Sequence, residues 1–267
     1  MTHVRKTKDA TRKRKAIFRR MKNLLKTIER HAINYHRELT IHWKETDWSE
    51  REAENILARM NAVLEQLPQA IKQAHERIIG ERRVPNKEKI LSLYETDTHV
   101  IVRGKAGAEV EFGNGLYLAE QAQGLIVDWL FIQEQPPADN KLVDASLERI
   151  EEAYGKPKSY AGDRGLDSPE NRQYLEEREV INAICPRSVV QLTEQLEDEQ
   201  FCVLQKRRSQ TEGRIGIFKN AYLGKPLRSK GFDNRQKRIA WCVLAHNLWK
   251  LARMAVEEKE KQRKDAA

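Results

Sequence analysis

The sequence predicts an α/β fold in which a mixed β-sheet with flanking helices follows an N-terminal helical hairpin. Residues 11–83 contain almost no glycine or proline, and their apolar residues recur at helical spacing. From about Lys89 the pattern changes to short β-branched runs separated by glycine. Beyond Pro136 helix and strand signals alternate, which is the order expected of an α/β layout.

The N-terminal region is predicted to form two or three long helices arranged as a hairpin. Apolar side chains recur at helical spacing from Ile17 to Leu67. The stretch "TDWSE" (46–50) interrupts this pattern. Ser49 is a suitable N-cap there, and Glu52 stands at the third helical position that completes a capping box.

Five short segments between residues 89 and 132 are predicted to form a meander of strands. Each is rich in β-branched or aromatic residues and is bounded by glycine or polar residues. The segments are "KILSLYE" (89–95), "HVIVRG" (99–104), "AEVEFGN" (108–114), "GLYLAE" (115–120) and "GLIVDWLFI" (124–132).

The next part of the chain alternates helices and strands. After Pro136 and Pro137, Asp139 or Asn140 is expected to cap a helix that continues past Ile150. Strands are predicted at "KSYAG" (158–162) and "VINAIC" (180–185), and Ser168 is expected to cap the helix between them.

The last long helix is predicted within residues 235–256. Its sequence is apolar nearly all round between Ile239 and Leu251, so we expect it to be buried on most sides and to pack across the sheet. We interpret His246 as a hydrogen-bonded core histidine, with a role in a site as the alternative. Residues 202–219 give mixed helical signals because Gly213 and Gly216 weaken the pattern.

The net charge of +9 is unevenly distributed along the chain. Residues 1–26 carry eleven Lys and Arg against one acid, and residues 201–240 carry eleven against two. Residues 27–200 between them have a net charge of −12. Two basic blocks around an acidic body suit a protein that binds a polyanion such as DNA. The alternative is that the basic helix faces are simply solvated.

Composition and motifs narrow the class of protein further. No apolar run of about 18 residues predicts a membrane span, and no signal-peptide pattern is present, so a cytoplasmic protein is expected. Cys185, Cys202 and Cys242 form neither a C-x-x-C pair nor a Cys/His ligand spacing. We expect three free, mostly buried thiols and no structural zinc.

Two acids are the candidate catalytic residues. Glu212 stands among cations in "RRSQTEGRIGIFKN" (207–220), and Arg208, Glu212 and Lys219 fall within about 40° of one helical stripe. An ordinary Arg/Glu helix pair explains the first two equally well. Asp163 follows the predicted strand 158–162, at the carboxyl end where open α/β sheets assemble their sites. An aspartate there is also a common turn former.

These segments together resemble the C-terminal part of bacterial insertion-sequence transposases of the DDE type, whose catalytic domain is RNase-H-like. The resemblance rests on "AGDRGLDSPEN" (161–171), on 207–220 and on "LRSKGFDNRQKRIAWCVLAHNLWKLAR" (227–253). The upstream "VPNKEKILSLYETDTHVIVRGKAGAEVEFGN" (84–114) also resembles the segment before the second catalytic Asp in one subgroup, so the resemblance covers roughly residues 83–254. The last signature of that family reads Tyr, two residues, Arg, three residues, Glu, six residues, Lys. Arg208, Glu212 and Lys219 match it, but Gln205 stands at the Tyr position.

The resemblance implies an RNase-H-like sheet and metal-dependent cleavage and strand transfer of DNA. Asp163 and Glu212 would then be catalytic metal ligands for a pair of Mg²⁺ ions, with Mn²⁺ as a substitute. Several cations of the same block would contact the phosphates of the transposon ends. These cations are Arg208, Lys219, Lys206, Arg207 and Arg214.

The resemblance leaves one catalytic residue unaccounted for. In the family the first catalytic Asp lies on the central first strand, ahead of a helical insertion, and this sequence begins with the insertion-like region. Asp128 is the most strand-like later acid, and we assign it no such role. We therefore expect a truncated or split transposase, inactive alone or completed by a second, N-terminal transposase polypeptide. A homodimer is the other expected partner. The alternative is a non-catalytic DNA-binding or interaction protein derived from a transposase.

The sequence divides into three predicted regions. Residues 1–85 form a basic helical region, residues 86–254 a partial RNase-H-like catalytic domain whose first strand is missing, and residues 255–267 a charged tail.

Overall fold

The computed structural model describes residues 8–105, 108–224 and 227–265, and it divides into two compact units, Met1–Gly113 and Asn114–Ala267. Residues 1–7 and 225–226 of the two basic blocks lie outside the described residues. The division into 1–85, 86–254 and 255–267 stays a prediction. No described helix is long and apolar enough to cross a bilayer.

The first unit contains the predicted helical hairpin. Helix α1 (Lys8–His42) leads through a 3₁₀ turn (Trp43–Glu45) into α2 (Glu50–Ile78). The capping box is confirmed, since Ser49 and Glu52 exchange side chain to backbone hydrogen bonds. The ring of Phe18 lies 6.2 Å from that of His75, so the start of α1 packs against the end of α2. The two helices are therefore antiparallel.

A two-stranded antiparallel sheet follows in the same unit, formed by β1 (His99–Lys105) and β2 (Ala108–Gly113). The strand predicted at 89–95 is wrong, because that segment is irregular. The side chain of Gln73 on α2 accepts from the Ile90 amide (2.8 Å) and donates to the Ile90 carbonyl (3.0 Å). The amide and carbonyl of Ile90 thus form their hydrogen bonds with a side chain of α2 rather than with a neighbouring strand.

The second unit begins with an antiparallel pair, β3 (Gly115–Glu120) and β4 (Ile126–Ile132), in which Ala119 pairs with Asp128. Behind them come a 3₁₀ turn (Asp139–Leu142) and α3 (Val143–Tyr154). Capping by Asp139 or Asn140 is wrong, because α3 begins after Leu142, whose side chain makes no capping bond.

A parallel pair of strands follows, formed by β5 (Ser159–Gly162) and β6 (Ile181–Ile184), and α4 (Pro169–Glu177) connects them in the sequence. The predicted cap of α4 is confirmed, because Ser168 accepts from the Asn171 amide. One apolar core joins these strands to α3 and α4. Its buried members are Val143, Leu147, Tyr160, Leu175, Val180 and Ile184.

Three helices complete the second unit. They are α5 (Val189–Gln195), α6 (Glu199–Ile217) and α7 (Phe232–Asp265). Helix α6 passes through both glycines that weaken its sequence pattern and continues as a π-helical turn, Phe218–Leu223. In that turn Phe218 and Tyr222 both contact the ring of His246 edge-on.

Helix α7 packs on β4 by one face only. Ile239, Cys242 and Val243 are buried there with Phe218, whereas Trp241 is 67% exposed. The expectation of burial on most sides is wrong, because the single β3–β4 layer covers one stripe of the helix. The three cysteines are free, and Cys185 and Cys202 are only half-buried.

The α/β class is confirmed, but the described strands form three separate two-stranded sheets rather than one mixed sheet. Two pairs are antiparallel and one is parallel. An RNase-H-like sheet of continuously hydrogen-bonded strands is therefore not present among residues 8–105, 108–224 and 227–265.

Candidate active site at the end of β5

Asp163 directly follows β5, as the sequence predicts, and it is exposed. Its Oδ1 accepts a hydrogen bond from the Gly165 amide at 2.9 Å, which folds the chain into a tight turn. Asp163 therefore forms a turn, which was the alternative considered from the sequence, and this hydrogen bond uses one of its two carboxylate oxygens. The geometry leaves the carboxylate at the surface, where it can reach a ligand.

A second carboxylate lies beside Asp163. A methyl group placed on Gly165 would lie 2.9 Å from Asp139 Oδ2 and 3.0 Å from Asp163 Oδ1. The two carboxylates therefore flank the same point of backbone, although they are distant in the sequence. Sequence reasoning missed this pair, since it treated Asp139 only as a helix cap.

The loop after β5 is held in place by Arg187. Its guanidinium donates to the carbonyls of Arg164 (3.0 Å) and Gly165 (3.2 Å), and its amide donates to Asp167 (2.8 Å). Asp167 is buried and forms an ion pair with Arg172 on α4 at 3.2 Å. These contacts fix the backbone that carries Asp163.

Gln205 joins α6 to the strand ends. Its Nε2 donates to the carbonyl of Gly162, the last residue of β5, and to the carbonyl of Ala183 on β6. Its Oε1 accepts from Nε of Arg208 at 2.9 Å. Gln205 stands where the transposase signature has Tyr, and no local pattern in the sequence indicates this bridging role.

Arg208 continues this series of hydrogen bonds to Glu212. Its Nη1 lies 2.7 Å from Glu212 Oε1, so the helix pair considered from spacing alone is present. Gln205, Arg208 and Glu212 are spaced three and four residues apart and share one face of α6. The Glu212 carboxylate is 68% exposed on that face, so the ion pair contributes little to stability.

The other proposed DNA contacts have different surroundings. Lys206 is exposed and Arg207 half-buried. Arg214 donates to Glu120 at 2.6 Å, so its charge is partly neutralised within the protein. Lys219 is exposed but lies in the π-helical turn, where the 100° step no longer holds, so spacing alone does not place it on the Glu212 stripe.

Asp128 is buried, and its carboxylate takes part in hydrogen bonds within the protein. It is 7% exposed on β4, and its two oxygens accept from Nε and Nη2 of Arg149, both at 2.8 Å. Ser146 Oγ donates to the same carboxylate at 2.7 Å. The hydrogen bonds to Asp128 raise the pKa of the Arg149 guanidinium. A carboxylate bound in this way is not free to bind a metal.

Two tyrosines adjoin this buried cluster. The hydroxyl groups of Tyr117 on β3 and Tyr160 on β5 are hydrogen-bonded to each other. Burial raises the pKa of both phenols, well above the usual value for Tyr160. His246 is also buried, and its Nε2 lies 3.0 Å from the Gly124 carbonyl. Its interpretation as a hydrogen-bonded core residue fits this geometry.

The described residues contain no group of three or more His, Cys, Asp or Glu side chains placed to hold a metal ion. Asp139 and Asp163 lie on either side of Gly165, and their carboxylate oxygens are hard donors of the kind that divalent cations prefer. Glu212 is held by Arg208. The donor chemistry therefore fits a hard divalent cation, but a complete three-carboxylate set is not assembled within the described ranges.

Residues 118–248 match the family model described as "Transposase DDE domain". This match supports a DDE-type transposase. The matched range of the transposase domain includes Asp163, Gln205, Arg208 and Glu212, and it excludes the helical hairpin. Comparison with curated proteins and with solved structures gave no match.

Proposed function

We propose that this chain is a catalytic part of an insertion-sequence DNA transposase, acting in the cytoplasm on transposon ends. The reaction is metal-dependent phosphodiester cleavage followed by strand transfer. Asp163 and Glu212 are the proposed catalytic metal ligands. The domain match supports the transposase class, and the arrangement around β5 supports the two residues.

The observation that carries the residue assignment is the bridge made by Gln205. It bonds to the carbonyl of Gly162, one residue before Asp163, and through Arg208 to Glu212. The face of α6 that bears Glu212 is thus the face that α6 turns to the strand ends. A helix pair serving only surface stability would have no need of this attachment.

Mg²⁺ is the proposed cofactor, with Mn²⁺ as a substitute. When bound, such ions activate the attacking oxygen and stabilise the leaving oxygen in an in-line displacement at phosphorus. Asp163 would hold a cation by its second oxygen, with Asp139 as its neighbour. Glu212 would be released from Arg208, whose guanidinium could then contact a DNA phosphate.

The proposal includes a missing ligand. Asp128 is the only aspartate on the described strands, and Arg149 and Ser146 occupy its carboxylate. We propose that the first catalytic aspartate comes from a strand outside this sequence, in the same or in a second polypeptide. Without it the site lacks much of its support for the transition state.

Cleavage assays with a labelled transposon end test the proposal. The 267-residue chain alone should cleave little or not at all. Supplying the strand that bears the missing aspartate should restore Mg²⁺-dependent nicking, and Asp163→Asn or Glu212→Gln should abolish that gain. Activity that survives both substitutions would refute the assigned ligands. Strong cleavage by the chain alone would refute the missing-ligand proposal.

DNA binding is proposed to be electrostatic and weakly sequence-selective. Affinity should fall steeply with salt as counterions are displaced from the phosphates. Charge reversal at either of two sets should weaken binding, and unchanged binding in both would refute the electrostatic account. The sets are Arg12, Lys13, Arg14 and Lys15, and Lys206, Arg207 and Arg214.

A non-catalytic DNA-binding or interaction protein is the second candidate. It is motivated by the turn that engages Asp163 and the ion pair that engages Glu212. A titration with millimolar Mg²⁺ or Mn²⁺ separates the two functions. Under the catalytic function the metal perturbs signals near Asp163 and Glu212, whereas under the second it does not.

A further inference from the structure

An exposed apolar stripe runs along α1. Ile17, Met21, Leu24, Ile28 and Tyr35 recur at spacings of four, three, four and seven residues. Each of these side chains is between 50% and 67% exposed. The stripe extends over about 27 Å of helix. Five large apolar side chains in one row are far more than scattered surface residues would give.

This stripe is distinct from the face that closes the hairpin. Phe18, one residue beyond Ile17, is 5% exposed and lies against His75 of α2. Leu25 and Ala32 follow Phe18 at heptad spacing and are half-buried. A step of one residue rotates about 100° around the helix. Helix α2 therefore covers the Phe18 face and leaves the stripe exposed. Only at the end of the stripe do Tyr35 and Glu38 border a groove that Ile56 and Met60 of α2 also line.

The exposed stripe has a positive residue at its N-terminal end and a negative residue at its C-terminal end. Arg14 stands three residues before Ile17 and Glu38 three residues after Tyr35, so both continue the heptad row. Arg14 donates only to the exposed Thr11 among the contacts described for its side chain. Glu38 lies 3.6 Å from Arg37 and 3.9 Å from His42, and all three side chains are at least half exposed. Both charges are accessible to a partner.

These positions make the stripe complementary to itself. A two-fold axis midway between Leu24 and Ile28 places each of these residues opposite the other in a second copy. The same operation places Ile17 opposite Tyr35 and Arg14 opposite Glu38. It also places Met21 opposite His31, an exposed residue whose ring stacks on that of Tyr35. An isologous contact requires this kind of match between one patch and its own copy.

We propose that α1 packs antiparallel against α1 of a second copy through this stripe. A parallel pairing would instead place Arg14 against Arg14 and bring together the basic segments 12–15 of both chains, with like charges in contact. An anionic membrane or DNA would favour cations along the whole stripe, but its last position is Glu38. A second, antiparallel copy places an opposite charge against each end of the stripe.

The oligomeric state of the full chain tests the proposal. Light scattering across a concentration series should show a monomer–dimer equilibrium. Leu24→Glu and Ile28→Glu should each shift it at least tenfold toward monomer, because both place a carboxylate in the stripe. Asn23→Glu is the matched control: it adds the same charge at an exposed site one residue outside the stripe and should leave the equilibrium within about twofold. Circular dichroism should show unchanged helix content in all three.

Charge exchange tests the antiparallel direction. Arg14→Glu alone and Glu38→Arg alone should weaken dimerisation, and the double variant should restore it, because opposite charges would again face each other at both ends of the stripe. In a parallel dimer each position would face its own copy, so the single variants would only exchange one like-charge contact for another. Single variants that dimerise as well as the wild type would therefore overturn the antiparallel geometry. A chain that stays monomeric at about 100 μM, or that uses Leu24 and Ile28 to bind anionic vesicles instead, would overturn the proposal. The test does not depend on catalytic function.

Discussion

Replacing Gln205 by Leu tests the bridge that supports the proposed site. Leu keeps the approximate size of the side chain and removes both hydrogen bonds to the strand-end carbonyls and the one from Arg208. At about 1 kcal/mol for each bond the upper limit is about 3 kcal/mol. Since Gln205 is half-buried, water can form some of the lost hydrogen bonds in the variant. We expect the free energy of unfolding to fall by about 1–2 kcal/mol.

The assay combines urea unfolding with Mn²⁺ binding at the site. Gln205→Leu should also weaken Mn²⁺ binding, because the Glu212 face of α6 would no longer be held at the end of β5. Gln210→Leu is the matched control on the same helix. Its described bond is a 3.3 Å contact from Arg214, so it should change stability by less than about 0.5 kcal/mol. If the two variants behave alike, the bridge does not position Glu212.

Three further substitutions test other parts of the second unit. Gly165→Ala should displace one or both neighbouring carboxylates and weaken Mn²⁺ binding, measured by paramagnetic broadening, while stability changes by less than about 1 kcal/mol; undisturbed broadening would contradict the paired geometry. Asp128→Asn should lower the free energy of unfolding by about 2–3 kcal/mol, less than the roughly 3–5 kcal/mol of a fully buried pair because Arg149 is 40% exposed. A loss of metal binding without loss of stability would show that the acid is a ligand. Burial favours the neutral phenol of Tyr160 in the folded chain, so its contribution to stability is complete below pH 10.0 and is lost as pH rises above that value. The difference in urea midpoint between the wild type and Tyr160→Phe should therefore stay constant up to about pH 9 and narrow as the pH rises above about 10. A difference that stays constant at higher pH would argue against this origin.

Local signals in the sequence predicted much of the secondary structure. Ser49 with Glu52 and Ser168 with Pro169 are complete capping patterns within four residues, so they needed no knowledge of tertiary contacts. The placement of Asp163 after β5 followed from the strand pattern in the same way.

Long-range contacts explain what the sequence did not predict. The segment 89–95 has a strand-like composition, but Gln73 on α2 satisfies its backbone. Asp139 and Gln205 acquire their places in the candidate site through neighbours that are distant in sequence. Periodicity likewise predicted that α7 could be buried all round, but it carried no information on how many layers were available to cover it.

The π-helical turn at Phe218–Leu223 shifts the angular positions of side chains around the helix axis relative to a regular α-helix. Before it, Glu212 and Arg208 lie on one face of α6; within it, Phe218 and Tyr222 both contact His246 on α7. A wider turn accommodates one extra residue, so the residues after it are rotated relative to those of a regular α-helix. Deleting one residue within the turn would restore the regular pitch and rotate every later side chain by about 100°. The aromatic contacts with α7 and the direction of Glu212 could then no longer be satisfied together, so the position of the proposed ligand Glu212 and the packing of the core both depend on this one turn.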